Sequence, residues 1–406
     1  MTGTTDRWWP GAVRLRTATQ QWWSRERTSL TADHPTLVRR SRWLYLRPAV
    51  LLLPMAAVIP GFLGAVIPDG DAGWFRQAGQ SMLGPEPFDV FSSSGLQVGP
   101  LYLLFIGLLT TAVEAVGLPM LFTVAALQSL GIAWFALVTV RRWGVELGAD
   151  VPRAQWGVVA PMVFGGLLAE SIGNGHPEEV FLGLLLANAA LMAQQGRLAR
   201  PGALIGLATG IKLWGLLGAP ILLIGRRPRA LVVGGLSILA IVVACYVPFF
   251  LLGEVNTFDF AWSSMGAPLA FLAAIAGLTD WQLRIVQGAV TVAVGALVAI
   301  RRSGSGLAVV LTIICVRLVL DPLLQTYYSG PFIVVGLMWL WTLKRGPSVP
   351  WRVVASLAVP VTIVLPYLIL RTPRVMLAHA AFILITVGVL VWERNCRARQ
   401  PHAVIS

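Results

Sequence analysis

Ionisable residues are scarce in this chain, and they collect in a few short stretches. Only 18 of its 406 residues are acidic. The segment "IPDGDAGWFRQAG" sets Asp69 and Asp71 beside Trp74, Phe75 and Arg76, just beyond a long apolar run. "ESIGNGHPEE" carries His176, Glu178 and Glu179, and "VRLVLDPLLQTYY" carries Arg317, Asp321, Tyr327 and Tyr328. Lys212, with Trp214 two residues on, interrupts the apolar stretch "PGALIGLATGIKLWGLLGAPILLIG" (201–225). Ionisable side chains this close to hydrocarbon are costly unless they pair or line a watery cavity, so such a gathering reads as a site. A lone ammonium in an apolar stretch needs an anionic partner. Most of these residues also have a plainer role open to them. Asp71 can cap a helix, His176 can be solvated in a loop, Glu178 and Glu179 can open a helix whose dipole favours acids, and Arg317 can pair with Asp321 one turn on.

What positions them is a membrane. The chain is 56% hydrophobic and 12% charged, against about 25% charged in a soluble domain. Apolar runs recur from Tyr45 to Trp392 without strand-like alternation, which predicts transmembrane helices. The net charge of +13 does not point to nucleic acid, because the positive charge falls where topology demands it. Basic clusters at 7–47, 141–153, 197–200, 226–229, 301–302, 344–352 and 394–399 hold 25 of the 31 Lys and Arg residues. Such clusters mark cytoplasmic loops. Twelve of the 18 acids fall on the other side. The three cysteines have no metal-site or disulfide spacing, and no metal or cofactor is expected.

The expected fold is an all-α polytopic integral membrane protein with both termini cytoplasmic. Residues 1–44 form a basic cytoplasmic or interfacial segment, 45–392 the transmembrane domain and 393–406 a basic tail. The first apolar run, behind nine arginines, reads as a retained signal-anchor. Ten full spans are expected near 45–67, 118–140, 154–170, 179–195, 230–252, 281–300, 306–320, 330–343, 351–370 and 375–392. Two segments resist simple crossing. Residues 100–115 must lie along the outer surface or dip in and return. Residues 201–225, with basic clusters on both flanks, must go up and come back with Lys212 at the vertex; glycines at 206, 210 and 215 permit the bend. The polar stretches, including the first outer loop 69–99, then share the extracytoplasmic face.

The motifs "DAGWF", "GPLYLLFIGLL", "GHPEEVFLGLLLANAAL", "GLATGIKLWGLLGAPILL" and "RLVLDPLLQTYYSG" resemble, in this order, those of actinobacterial membrane glycosyltransferases. The resemblance is to the GT-C superfamily, in particular glycosyltransferase family 87 with its polyprenyl-phosphate-mannose-dependent mannosyltransferases, over roughly residues 45–345. It implies a GT-C-like helical bundle, a lipid-phosphate sugar donor, an extracytoplasmic site and a catalytic carboxylate in the first outer loop. Asp71, followed by Phe75, takes that position, with Asp69 as its neighbour and alternate. This chain has "VGPLY" where the family often has a Pro pair, and "GHPEE" where it usually has Gly-Gln-aliphatic.

Transfer from such a donor needs a carboxylate to take the acceptor hydroxyl's proton, worth about 10²–10⁴-fold, and cations to hold the leaving phosphate. Asp71 is the expected base, with its pKa expected to be pushed upward by a partly dry loop and by Asp69. Lys212 is the expected first phosphate contact, with Arg317, Arg76 and His176 behind it. Trp74, Trp214, Tyr327 and Tyr328 are expected to stack on sugar or isoprenoid, and Glu178, Glu179 and Asp321 to bind substrate. The expected partners are a polyprenyl-phosphate sugar donor, mannosyl by family frequency alone, a glycolipid or glycan acceptor of the cell envelope, and the bilayer. A lipid or solute transporter is the alternative, since transporters also use broken helices, but no second copy of 201–225 is visible. A non-catalytic envelope-assembly protein would need no such convergence.

Overall fold

The computed structural model describes residues 32–66, 70–260, 275–301, 306–321, 325–343, 348–358 and 374–398. The chain divides into two compact units, Met1–Leu51 and Leu52–Ser406. The described part of the first holds α1 (Pro35–Leu46), opened by a proline at its first position, where no intrahelical N–H is needed. Helices are the only regular elements among the described residues of the second unit. α2 is Ala49–Val66, of which Leu52 onward belongs to the second unit. There follow α3 (Gly70–Ser81), α4 (Pro100–Val116), α5 (Met120–Leu147), α6 (Val151–Phe164), α7 (Leu167–Gly173), α8 (Pro177–Gln194) and α9 (Ala199–Ile211). After a 3₁₀ segment, Leu213–Leu223, come α10 (Pro228–Leu252), α11 (Asp280–Arg301), α12 (Gly306–Val319), α13 (Gly330–Thr342), α14 (Val349–Ala358) and α15 (Arg374–Ala398).

Among the described residues, α2, α5, α10, α11 and residues 377–395 of α15 are long and apolar enough to cross a bilayer. α4, α12, α14 and the 3₁₀ segment are apolar but shorter. The chain is a polytopic helical membrane protein. The span expected at 154–170 is in fact two helices, because α6 contains Pro161 and stops at Gly165–Gly166, after which α7 starts afresh. Pro161 has no N–H to give its own turn, and Gly166 sits at φ 83°, where a helix cannot continue.

α8 is the axis of the second unit. Leu182, Leu184, Leu186 and Leu191 are fully buried on several of its faces, as expected for a helix that is apolar all round. It packs against α5, α9, α12 and α13. At Gly183 a Cβ would run into the backbone of Pro331, so α8 and α13 meet almost main chain to main chain. A second apolar cluster, with Phe75, Phe91, Leu96, Tyr102 and Leu103, fixes α3 and α4 to each other.

The stretch 201–225 is broken at the position expected. α9 ends at Ile211, Lys212 is extended (φ −157°, ψ 131°), and the 3₁₀ segment turns back along α9. A Cβ at Gly215 would strike the backbone of Ala208 and Thr209, which is why the return leg can lie so close. The two segments that resisted simple crossing also meet: Gly99 N–H, at the start of α4, donates to Ile211 O at 2.8 Å, one residue before the break.

Candidate active site

Asp71 lies in the first turn of α3, where an acid faces the positive end of the helix dipole. Its side chain is 53% exposed, and Oδ2 is 2.9 Å from His176 Nε2. The turn leading into α8 presses against this start of α3. Gly175, at φ 79°, lies so near Ala72 N that a Cβ would overlap it. Asp69 lies outside the described residues.

His176 is the residue before α8 and is 5% exposed. Its Nδ1 is 2.7 Å from Glu178 Oε1, so both ring nitrogens face carboxylate oxygens. Ionised carboxylates only accept hydrogen bonds, so satisfying both requires an imidazolium donating from each nitrogen. Burial pulls the imidazole pKa down, but the charge of Glu178 and the hydrogen bonds to Asp71 and Glu178 outweigh it and hold it above 6.5. The hydrogen bond from His176 in turn holds the Asp71 carboxyl below 3.8 against partial burial. The expected upward shift of Asp71 is therefore reversed: a cationic donor acts on it more strongly than the dry loop does. Tyr327 stacks on the imidazole at 3.9 Å, and Phe75 meets it edge-on at 5.1 Å.

From Glu178 the ionic chain runs inward. Lys212 Nζ is 3.0 Å from Glu178 Oε1 and 2.8 Å from Glu179 Oε1. Glu179 Oε2 accepts from Trp214 Nε1 at 3.0 Å. Arg317 Nη2 lies 3.7 Å from Glu179 and 3.5 Å from Asp321. Asp321 also accepts from Arg284 Nη1 at 2.8 Å, and Gln287 steadies that arginine at 3.0 Å. The order Asp71, His176, Glu178, Lys212, Glu179, Arg317, Asp321, Arg284 alternates negative and positive. Uncompensated buried charge costs several kcal/mol per ion, and alternation is what lets this many ions share a core. Arg317 also lies over Trp214 at 4.5 Å and Tyr328 at 4.7 Å.

A cavity of about 530 Å³ opens along this chain. Asp71, Trp74, His176, Lys212, Trp214, Arg317, Tyr327 and Tyr328, all singled out in the sequence, line it. Glu178, Glu179 and Asp321 do not reach its wall; they stand behind the cations and hold them. Arg76 is on α3 but is not part of the lining. Arg317 Nη1 is buried and has no hydrogen-bond partner among the described residues. Sequence reasoning did not select Arg284, Gln287, Gln97 and Trp281, which also line the cavity. Arg284 carried a signal, being one of six basic residues outside the basic clusters. Gln97 and Gln287 carried none.

Residues 99–324, more than half of the chain, match the family model described as "Glycosyltransferase family 87". His176, Lys212, Arg284, Arg317 and Asp321 fall inside the match; Asp71 and Trp74 precede it. No curated protein matches the chain.

Proposed function

The chain belongs to glycosyltransferase family 87, which makes it a membrane glycosyltransferase, and from that premise we propose that it moves a sugar from a polyprenyl-phosphate donor to a glycolipid or glycan acceptor of the cell envelope. Mannose is the sugar we assign, and the extracytoplasmic face is the side. The charge pattern supports that side, since the cavity residues lie away from the basic clusters.

The observation that carries the reading is one aromatic-walled cavity lined by both a half-exposed carboxylate, Asp71, and an arginine, Arg317, whose buried Nη1 has no hydrogen-bond partner among the described residues. Asp71 uses Oδ2 on His176, which leaves Oδ1 to receive the acceptor's proton. The acceptor oxygen bonds to the sugar's anomeric carbon as the bond from that carbon to the phosphate oxygen breaks. The proton goes to Asp71 and the electron pair leaves with polyprenyl phosphate. Arg317 Nη1, with Lys212 and Arg284 beside it, receives that phosphate. His176 acts by keeping Asp71 ionised and aimed. Trp74, Trp214 and Tyr327 offer faces for the sugar or the first isoprene units.

The test is transfer by purified protein from radiolabelled polyprenyl-phosphate mannose into a lipid extract. Wild type is expected to transfer, and Asp71→Asn to lose at least about 10²-fold in rate. Unchanged transfer by Asp71→Asn removes Asp71 from its role; no transfer by wild type removes the mannosyl donor.

A further inference from the structure

The bundle has a second polar concavity, at the end away from the cavity. α8 begins at the ionic chain and runs 18 residues, about 26 Å, to its other end. There a cleft of about 740 Å³ opens between the last turns of α5, the end of α8 and the start of α9. Four arginines line it: Arg141 and Arg142 from α5, Arg197 from the turn and Arg200 from α9. The carboxylate on its wall, Glu146, accepts from Gln195 at 2.7 Å.

One arginine is anchored. Arg142 Nη1 donates to Asn188 Oδ1 at 3.2 Å. Asn188 is 1% exposed and donates to Thr139 Oγ1 at 2.6 Å and to Leu184 O at 2.9 Å. A buried amide is thus fully engaged in holding one corner of a guanidinium and leaves the rest of it to the cleft. The side chains of Arg141, Arg197 and Arg200 make no hydrogen bond or ion pair among the described residues. The general bias that places arginines at one end of membrane helices does not by itself bring four of them around one cleft with a buried amide behind it.

The same cleft has an apolar wall, formed by Val138, Met192 and Leu204. Val145, also on the lining, is 67% exposed. A soluble anion gains nothing from such a wall, whereas an acyl chain does. Basic pockets between membrane helices suit anionic headgroups. We propose that this cleft binds the phosphate headgroup of an anionic glycerophospholipid, with the root of an acyl chain along Val138 and Met192. The proposal depends on the membrane character of the chain and not on the transfer reaction.

The experiment uses the full chain in detergent supplied with phosphatidylglycerol or phosphatidylcholine, with retained lipid read by native mass spectrometry. Wild type is expected to keep phosphatidylglycerol and not phosphatidylcholine. Arg142→Gln/Arg200→Gln should lower that retention about tenfold or more, given the attraction of each arginine to an anionic surface. Arg141→Gln/Arg197→Gln, which disturbs no side-chain hydrogen bond among the described residues, should lower it as well and keeps the test open if the first variant misfolds. Equal retention of both lipids, or unchanged phosphatidylglycerol retention in a folded variant, overturns the proposal. Displacement of the lipid by excess inorganic phosphate alone also overturns it, because the cleft would then be a free-anion site.

Discussion

Replacing Lys212 with methionine tests whether the ionic chain is a single electrostatic unit. Met keeps the length and apolar character of the side chain, and near-isosteric core swaps cost under about 1.5 kcal/mol. The charge cannot be replaced so cheaply. Glu178 and Glu179 have fully shielded side chains, and both lean on Lys212, at 3.0 and 2.8 Å. After the change Glu178 keeps His176, while among the described residues Glu179 keeps only the Trp214 N–H and a distant Arg317. Stripping one partner from a buried pair costs about 3–5 kcal/mol. Because each carboxylate retains some support, Lys212→Met should fall near the lower end, about 3 kcal/mol. The diagnostic is the sign of the next step. Adding Glu179→Gln removes the stranded charge, and the amide oxygen can still accept from Trp214. Lys212→Met/Glu179→Gln should therefore unfold later than Lys212→Met alone, although it carries one more substitution. The assay is thermal or denaturant unfolding in detergent followed by tryptophan fluorescence, with Glu179→Gln closing the cycle. A double variant no more stable than the single one would mean that Lys212 contributes packing and not charge, and the alternating chain would lose its physical basis.

Other consequences are open to direct measurement. With Asp71 held below 3.8 and His176 above 6.5, the support Asp71 gives is complete above 3.8 and lost as pH falls through its lowered value. That of His176 is complete below 6.5 and lost as pH rises through its raised value, so kcat/KM should be flat between these limits. His176→Gln should abolish the alkaline limb and move the acid limb up toward 3.8; an unchanged profile would refute the bridge. Arg317→Lys keeps the charge but loses the planar fork, and should weaken donor binding about tenfold as a higher KM; an unaltered KM would take Arg317 off the phosphate. Gly175→Ala forces a side chain to φ 79° against Ala72 N. It should cost about 1–2 kcal/mol in backbone strain alone and lower kcat by displacing Asp71, which the transfer assay reads.

Much of the fold was legible because hydrophobic runs and charge clusters are one-dimensional records of a bilayer. The break at Lys212 was legible for a more particular reason: glycines at 206, 210 and 215 and basic flanks on both sides left a straight crossing no place to go. The break between α6 and α7 carried signals of the same kind in Pro161 and Gly165–Gly166. A hydropathy window passes over them, since proline and glycine interrupt hydrogen bonding without lowering apolarity. The start of α2 shows the same blindness. An apolar run from Tyr45 predicts one helix, but Arg47 and Pro48 separate α1 from α2.

The residue types of the candidate site were legible, but their pairings were not. Read singly, Glu178 and Glu179 are acids in a first turn, Lys212 is a cation seeking an anion and Arg317 is a partner for Asp321; each of these readings is correct and incomplete. Only the fold shows that the first turn of α8 lies against the break after α9 and the end of α12, so that each carboxylate serves two cations. This changes what the cations can do. A free Lys212 would be the strongest attractor for a phosphate, but Lys212 is already shared between two glutamates. Among the described residues, donor capacity is left on Arg317 Nη1, which is buried and has no hydrogen-bond partner there. The side chain of Arg284, 20% exposed, reaches the cavity from a residue outside every basic cluster. A chain whose own charges cancel can be buried at tolerable cost and still offer an incoming anion directed N–H groups, which select by geometry where bare positive charge would select by sign alone.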